Sequence, residues 1–261
     1  MQLLDLTFPE PEENLRFDEF LLDLCEKEPA PEVLRFWAPR QHFVVLGYAT
    51  DAGEEVNLAR CRKLSIPVLR RVSGGGTVLQ GPGCLNFSLV LRIDRNPALR
   101  TIPGTNAYVL EQHRRALQPL LPGPLLHQGA TDLTLGNLKF SGNAQRRRKS
   151  CLLFHGTFLL GLDLSLVEKL LPVPARQPPY RKHRSHREFL INLPLEAPAV
   201  KEALRRAWEA CRSTYFTTSL AAFATNRANL NGDRSMEQSP RVMSSAMSRP
   251  VNGASRMPLR K

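Results

Sequence analysis

Positive charge beside bare backbone is the first chemistry this sequence offers. Arg70 and Arg71 close an apolar run, Ile66 to Val72, and after Ser73 come three consecutive glycines, Gly74, Gly75 and Gly76. Glycines in a strand context cost backbone entropy and leave no side chain to pack; close approach of a ligand to the backbone is the usual compensation. The arginines put cations at the rim of such a gap. Alternate strand residues face opposite sides, so only one of the two can point at a given ligand. A glycine-rich bulge on a sheet edge is the other reading, since the stretch is neither the six-residue dinucleotide fingerprint nor a Walker loop. The second candidate is Lys139, set between Leu138 and Phe140. A lysine in a half-buried strand either snorkels outward or faces a polar cavity. Alternation places it opposite its two apolar neighbours, and the residues alone leave both readings open.

The elements that must carry these groups follow from periodicity. Phe17, Phe20, Leu21 and Leu24 recur at helical spacing and predict an amphipathic helix over Phe17 to Cys25. Val33 to Trp37 and Phe43 to Gly47 read as strands joined by the turn Pro39 to Gln41, with Gly47 either a turn glycine or an opening for a ligand chain. A helix from about Glu54 to Lys63 leads into the glycines. Thr77 to Leu79 then runs into the turn Gln80-Gly81-Pro82-Gly83, and Leu85 to Leu91 resumes as a strand in which Asn86 and Ser88 alternate against Leu85, Phe87 and Leu89. A helix over Asn106 to Leu121 ends at Pro122-Gly123. Strands follow at Leu125 to His127, Asp132 to Leu135 and Leu138 to Ser141, the last two in a tight hairpin over Gly136-Asn137. Leu152 to Leu160 is a long apolar strand interrupted by His155 and Gly156, and Asp163 starts a helix. Pro172 to Arg187 reads as a basic, proline-rich surface loop, and Ala199 to Tyr215 as a closing helix. Hairpin strands with helices mostly on one side predict an α+β fold with mixed, mostly antiparallel sheets.

Composition sets the bounds. The 261 residues suffice for one domain with a full core. Residues 1–216 form the expected folded domain; 217–261, rich in Ser, Asn, Arg, Met and Pro without periodicity, form an expected disordered tail. The net charge of +12 is half accounted for by Arg212 to Lys261, with eight Lys/Arg against two Asp/Glu. No helix-turn-helix, RNA-binding aromatic signature or zinc spacing organises that charge, so nucleic acid is not expected as a partner. No run of eighteen apolar residues is present, which argues against a membrane span, and the acidic start MQLLDLTFPEPEEN does not read as a signal peptide. Five scattered cysteines, Cys25, Cys61, Cys84, Cys151 and Cys211, lack metal-type spacing and suit a reducing cytoplasm. No metal ligand set is expected.

RRVSGGGTV resembles the signature of the lipoate-protein ligase family, within the wider group of biotin and lipoate ligases and octanoyltransferases. A second stretch agrees with it: GATDLTLGNLKFSGNAQ, a short basic loop, then LLFHGTFLL. The resemblance covers roughly Leu15 to Trp208 and implies the catalytic-domain fold of those ligases. It places Lys139 on the family's active-site lysine. The implied reaction joins lipoate or octanoate to ATP as an acyl-adenylate, with Mg²⁺, then transfers the acyl group to a lysine of an acceptor domain. The implied acceptors are lipoyl domains of 2-oxoacid dehydrogenase complexes or the glycine cleavage H protein. By similarity Arg71, Ser73, Gly75, Gly76, Thr77, Val78 and Leu79 are adenylate-binding positions, with Gly75 admitting the ligand and Gly76 to Leu79 holding the nucleotide through the backbone. Asp132 orients Lys139, holds Mg²⁺ through water, or simply caps a turn. His155, in the His-Gly-Thr strand, is either structural or an acid–base group. Arg146 to Lys149 fall where the family has a mobile loop closing over the adenylate.

Two departures qualify the resemblance. Gln80-Gly81-Pro82-Gly83-Cys84 stands where the best-known ligases have His-Asp-x-Gly-Asn, and is closer to the octanoyltransferase pattern. Those ligases also carry a C-terminal domain that nothing after Tyr215 reads as able to build, so either adenylation proceeds without it, an accessory subunit supplies it, or the protein only transfers acyl groups. A transferase using a cysteine thioester is therefore the alternative, with Cys84 and Cys151 the candidate nucleophiles and Cys25, Cys61 and Cys211 explained by apolar helix faces. A non-catalytic domain that binds lipoyl domains is the third reading.

Overall fold

The computed structural model describes residues 1–27, 30–212, 215, 216 and 223. The chain divides into two units, Met1–Thr217 and Thr218–Lys261. Apart from Thr217, the expected tail belongs to the second unit, and only Phe223 of it lies within the described residues.

The first half of the domain runs β1 (Gln2–Asp5), α1 (Pro11–Lys27), β2 (Val33–Trp37), β3 (Phe43–Leu46), α2 (Ala52–Glu55) and α3 (Leu58–Lys63). Next come β4 (Val68–Arg70), β5 (Val78–Gln80), β6 (Cys84–Arg92), α4 (Ile102–Leu117) and β7 (Leu125–Gln128). The remainder is β8 (Asp132–Leu135), β9 (Leu138–Arg147), β10 (Cys151–Leu159), α5 (Leu164–Leu170), α6 (His186–Phe189), α7 (Ala197–Ala207) and β11 (Cys211–Arg212). An eight-stranded sheet has the order β11-β1-β2-β6-β10-β9-β8-β7, and a three-stranded sheet the order β4-β3-β5. Parallel pairing is confined to β1 with its two neighbours and to β3 with β4. The fold is thus α+β and mostly antiparallel.

The alternation in β6 sorts the large sheet into two faces. Leu85, Phe87, Leu89 and Leu91 join Leu34, Phe36, Phe154 and Phe158 in one apolar cluster with Val109, Leu110 and Leu117 of α4 and Val200 and Leu204 of α7. Each such side chain removed from water stabilises the fold by roughly 1.5–3 kcal/mol. Helix α4 starts where it does because Thr101 accepts from the Gly104 N–H and Pro103 sits in the first turn, where its missing N–H costs nothing. The opposite face carries Arg35, Asn86, Ser88, His155 and Thr157, since residues paired across β2, β6 and β10 share a face. It is covered by α1 and the smaller sheet, through contacts from Asp18 to Ser88 and from Gln80 to Thr157.

Several expectations are corrected. The closing helix stops at Ala207, not Tyr215: Glu209 takes a left-handed φ of 47°, and Cys211 lies in the short strand β11, where it is exposed. The N-terminal segment contributes β1, which its sequence did not announce. Helix α1 starts six residues before the expected Phe17 and reaches Lys27. Residues 172–187 are not merely a surface loop, because Arg181 is buried and α6 begins within them under a Ser185–Glu188 capping box. Cys25 and Cys151 are joined as a disulfide between α1 and β10, so the cysteines are not all free thiols.

Candidate active site

Lys139 enters the polar face through a register shift. Asp132 pairs with Gly142 and Leu133 with Ser141, but Thr134 pairs with Lys139, leaving Phe140 without a partner on β8. Without that extra residue, Lys139 would share a face with Ser141 and Asn143. With it, Phe140 turns into the apolar core while Lys139 joins Asp132, Thr134 and Gly142 on the other side. The Lys139 Nζ lies 2.7 Å from Asp132 Oδ1. A Cβ on Gly142 would sit 2.8 Å from that nitrogen, so only glycine there lets the ammonium lie down on the strand. The strand is pinned from behind by the Ile191 N–H, which donates to the Lys139 carbonyl at 3.0 Å.

The glycines form a loop between β4 and β5, not a strand. Gly75 has φ +91° and its Cα faces Ala144, two positions along β9 from Gly142 and therefore on the same face, roughly 7 Å away. The loop and the Lys139 ammonium thus occupy adjacent stations on one strand. Arg71 ties the loop: Nη2 donates to the carbonyls of Gly74 (2.7 Å) and Gly76 (2.9 Å), and Nε donates to Ser73 Oγ (3.1 Å). Burial lowers the Arg71 pKa to about 10, with Glu55 acting the other way. Arg70 instead donates to the carbonyls of Gly47, Tyr48 and Thr50, so the pair divides as alternation requires. Gly47 has its own reason: a side chain there would run into the Gly75 carbonyl.

A polar chain links this loop to the interior. Ser73 Oγ lies 2.6 Å from His155 Nε2, and His155 Nδ1 lies 3.6 Å from Asp18 Oδ2. Asp18 also accepts from Ser88 Oγ and pairs with the buried Arg35 at 2.6 Å. Burial pushes the Asp18 carboxyl pKa up, but Arg35 and His155 outweigh it and hold it below the usual carboxylate range. Ser73 is wholly buried and so serves as a link rather than an exposed nucleophile.

Of the expected site residues, Lys139, Asp132, Arg71, Ser73, Gly75 and His155 share this region. Gly76 offers its carbonyl to Arg71, and Thr77 donates through both N–H and hydroxyl to Glu55. Val78 and Leu79 lie in β5, an edge strand of the small sheet; the Leu79 side chain is buried in a second apolar core with Val44, Leu159 and Leu170. Both oxygens of Asp132 are engaged: Lys139 takes one and the Tyr180 hydroxyl donates to the other at 2.7 Å. Among the described residues, no cluster of three or more His, Cys, Asp or Glu could hold a metal. Arg146 and Arg147 belong to β9, with the Arg146 guanidinium over the Tyr48 ring, and Arg148 pairs with Asp23 at 2.8 Å. The basic run is therefore divided between the end of β9 and a short turn in which Arg148 pairs with acids of α1.

Sequence reasoning missed Asp18, Arg35, Glu55 and Tyr180. Asp18 and Arg35 carry no local signal, because they lie 17 residues from each other and Asp18's further partners, Ser88 and His155, lie in later strands. The two candidate thiols are poorly placed for chemistry. Cys84 is buried in the second core, where burial pushes its thiol up to about 12. Cys151 is bonded to Cys25 and pairs with Arg92, roughly 20 Å of strand from Thr157 and Gly142.

Comparison with known proteins agrees with this geometry. Residues 10–208 match the family described as "Lipoyl protein ligase A/B catalytic domain". The chain is 31% identical to lipoate–protein ligase 1 of Staphylococcus aureus over 201 residues, 75% of this chain and 58% of that protein. It is 30% identical over 182 residues to octanoyltransferase LipM of Carboxydothermus hydrogenoformans, 61% of this chain and 64% of that one. Among solved structures, a lipoate-protein ligase A bound with ATP superposes with TM-score 0.68 at 27% identity, covering 85% of this chain and 92% of that one. A bi-partite lipoate protein ligase of Thermoplasma acidophilum, described with its E2 lipoyl domain, gives TM-score 0.70 at 27% identity over 85% of this chain and 90% of that one. The chain spans about half to three-fifths of the length of the first curated relatives it matches. With the family matched across most of the domain and the glycine loop and Lys139 brought together on one face, this chain belongs to the lipoyl protein ligase A/B catalytic-domain family.

Proposed function

We propose that the chain is the catalytic domain of an ATP-dependent lipoate–protein ligase. The carboxylate of lipoate or octanoate attacks the α-phosphorus of ATP, the bond to the β-phosphate breaks, and pyrophosphate leaves. An acceptor lysine amine then attacks the acyl carbon, the bond to the phosphate oxygen breaks, AMP leaves and the amine proton passes to solvent. Both steps gather negative charge on oxygens around the mixed anhydride. The Lys139 ammonium, fixed by Asp132 before substrate arrives, needs no reorganisation to meet that charge. Arg71 supplies a second cation, kept in place by Ser73 and, through it, by His155. Gly75 and Gly76 allow the ligand against the backbone, and β5 offers the outer edge of Val78 and Leu79 to the nucleotide, while Thr77 is held to Glu55. Mg²⁺ is expected to travel with the ATP phosphates.

One observation carries the choice over an octanoyltransferase: neither Cys84, buried in the second core, nor Cys151, bonded to Cys25, is a usable thiolate. A thioester route needs a thiol that ionises near neutrality within reach of the acyl group. The ATP-bound neighbour supports the ligase, and the LipM relative marks the alternative. The proposed acceptors are lipoyl domains of 2-oxoacid dehydrogenases or the glycine cleavage H protein. The bi-partite neighbour supports an accessory subunit. Incubated with ATP, labelled pyrophosphate and any accessory subunit, the protein should exchange label into ATP only when lipoate or octanoate is present. Absence of exchange together with ATP-independent transfer from octanoyl carrier protein would replace this reading by the transferase.

A further inference from the structure

The segment between α5 and α6 looks from its composition like a solvated basic loop, yet Arg181 is buried and Tyr180 and Arg184 are half-buried. Arg181 is buried with its guanidinium over the Phe189 ring at 4.6 Å, and Arg184 lies over the same ring at 5.3 Å. The two arginines are laced together, each Nε donating to the other's carbonyl at 3.0 Å. Arg184 Nη2 also donates to the Tyr180 and Asn137 carbonyls, fastening the segment to the hairpin that carries Lys139. Gly129, at φ +59°, brings the start of β8 under this segment: a Cβ there would lie 3.3 Å from Pro178 and 3.5 Å from the Tyr180 ring. The product of this packing is one hydrogen bond, from the Tyr180 hydroxyl to Asp132 Oδ2 at 2.7 Å.

We propose that Tyr180 is a positioning residue for Lys139, acting through Asp132. A carboxylate bound only through Oδ1 can rotate about its last torsion and offer either oxygen, carrying the ammonium with it. With Tyr180 on Oδ2 and Lys139 on Oδ1, that rotation is blocked and one orientation of the Lys139 Nζ is selected. Asp132 is nearly buried, so without the hydroxyl its second oxygen would also lack a partner in a dry setting. The clamp matters because an ångström of misplacement at a reacting centre can cost up to about a hundredfold in rate. Tyr180 is suited to the work: its hydroxyl stays protonated and a donor, since burial and then the Asp132 charge push its pKa well above the usual phenol range. Tyr180 reaches Lys139 only through Asp132, so the role assigned to it is to hold, not to react.

The inference rests on Lys139 serving the acyl-transfer reaction proposed above, and the test separates the two. Tyr180→Phe in the full chain keeps the ring on Phe189 and removes only the hydroxyl. It should lower kcat for acyl transfer to a lipoyl domain roughly tenfold, with KM for the acyl donor and the melting temperature nearly unchanged. In ¹⁵N-labelled protein, the Lys139 ammonium resonance, assigned by its loss in Lys139→Arg, should shift or broaden in Tyr180→Phe. A cycle with Asp132→Asn should show no further loss in the double variant, because both substitutions break one path. Unchanged kcat, an unchanged ammonium resonance, or losses that multiply would each overturn the proposal. If wild-type protein instead transfers without ATP, the ligase reading fails, and the same cycle run with octanoyl carrier protein still decides the role of Tyr180.

Discussion

The two faces of the large sheet are made from the same strands and solve opposite problems. On one, Leu85, Phe87, Leu89, Phe154 and Phe158 close against α4 and α7 with almost no polar group to satisfy. Two exceptions sit together: His113 is fully buried among Phe87, Phe158 and Trp208 with no partner for either ring nitrogen among the described residues, and the Trp208 Nε1 beside it has none either. On the other, Arg35, Asp18, Ser88, His155 and Ser73 form an unbroken polar chain ending at Arg71 in the glycine loop. Apolar residues of similar volume often stabilise a fold at least as well as a buried ion pair. The polar face is therefore hard to explain by stability and easy to explain by the need to hold charged groups still.

That contrast can be broken most forcefully at Asp18. Asp18→Ala leaves the wholly buried Arg35 guanidinium without its anion, and urea denaturation should show a loss of about 3–5 kcal/mol. The Asp18→Leu, Arg35→Met double variant should recover much of that stability without recovering acyl transfer, since His155 would lose its anchor. Recovered activity would mean that the polar chain is dispensable. Next in size, Lys139→Ala should cost on the order of 10²–10³ in transfer rate with the fold intact, measured with a lipoyl domain as acceptor. Near wild-type transfer would remove Lys139 from the chemistry.

A smaller effect belongs to the apolar face. Burial depresses the His113 pKa to about 3, so the fold favours the neutral ring while the unfolded chain takes up a proton near pH 6.5. Its contribution is intact above that pH and is lost as pH falls toward 3; at pH 5 the loss is about 2 kcal/mol. His113→Leu should therefore gain on the wild type between pH 7.5 and pH 5 in denaturation midpoints, and a pH-independent difference would show that the ring is not dry. Smallest of all, Cys84→Ser should keep ATP-dependent transfer within several-fold, reflecting packing alone.

The apolar face was legible because alternation at period two is local: Asn86 and Ser88 against Leu85, Phe87 and Leu89 can be read without a structure. The glycine loop and the Lys139 hairpin were legible too, as two motifs in the right order. The means by which Lys139 reaches the site was not, because the register shift at Phe140 exists only relative to the partner strand β8. The same holds for the chain from Arg35 to Ser73, whose members meet across four elements, and for the link between Cys25 and Cys151, 126 residues apart. Tyr180 was hidden differently. Prolines and cations around it suggest a solvated loop, and only the stacking of Arg181 and Arg184 on Phe189 turns the segment inward. β11 was absorbed into a helix because Trp208 and Cys211 happen to fall at helical spacing.

The central claim is that a clamped ammonium on the polar face works on an adenylate, with no thiol as acyl carrier. Intact-mass measurement of the protein tests it most directly, after incubation with octanoyl carrier protein in one sample and with octanoate and ATP in another. The expected result is unmodified protein under denaturing conditions in both, and octanoyl-adenylate retained under native conditions in the second alone. A covalent octanoyl adduct that survives denaturation and maps to Cys84 or Cys151 would contradict it.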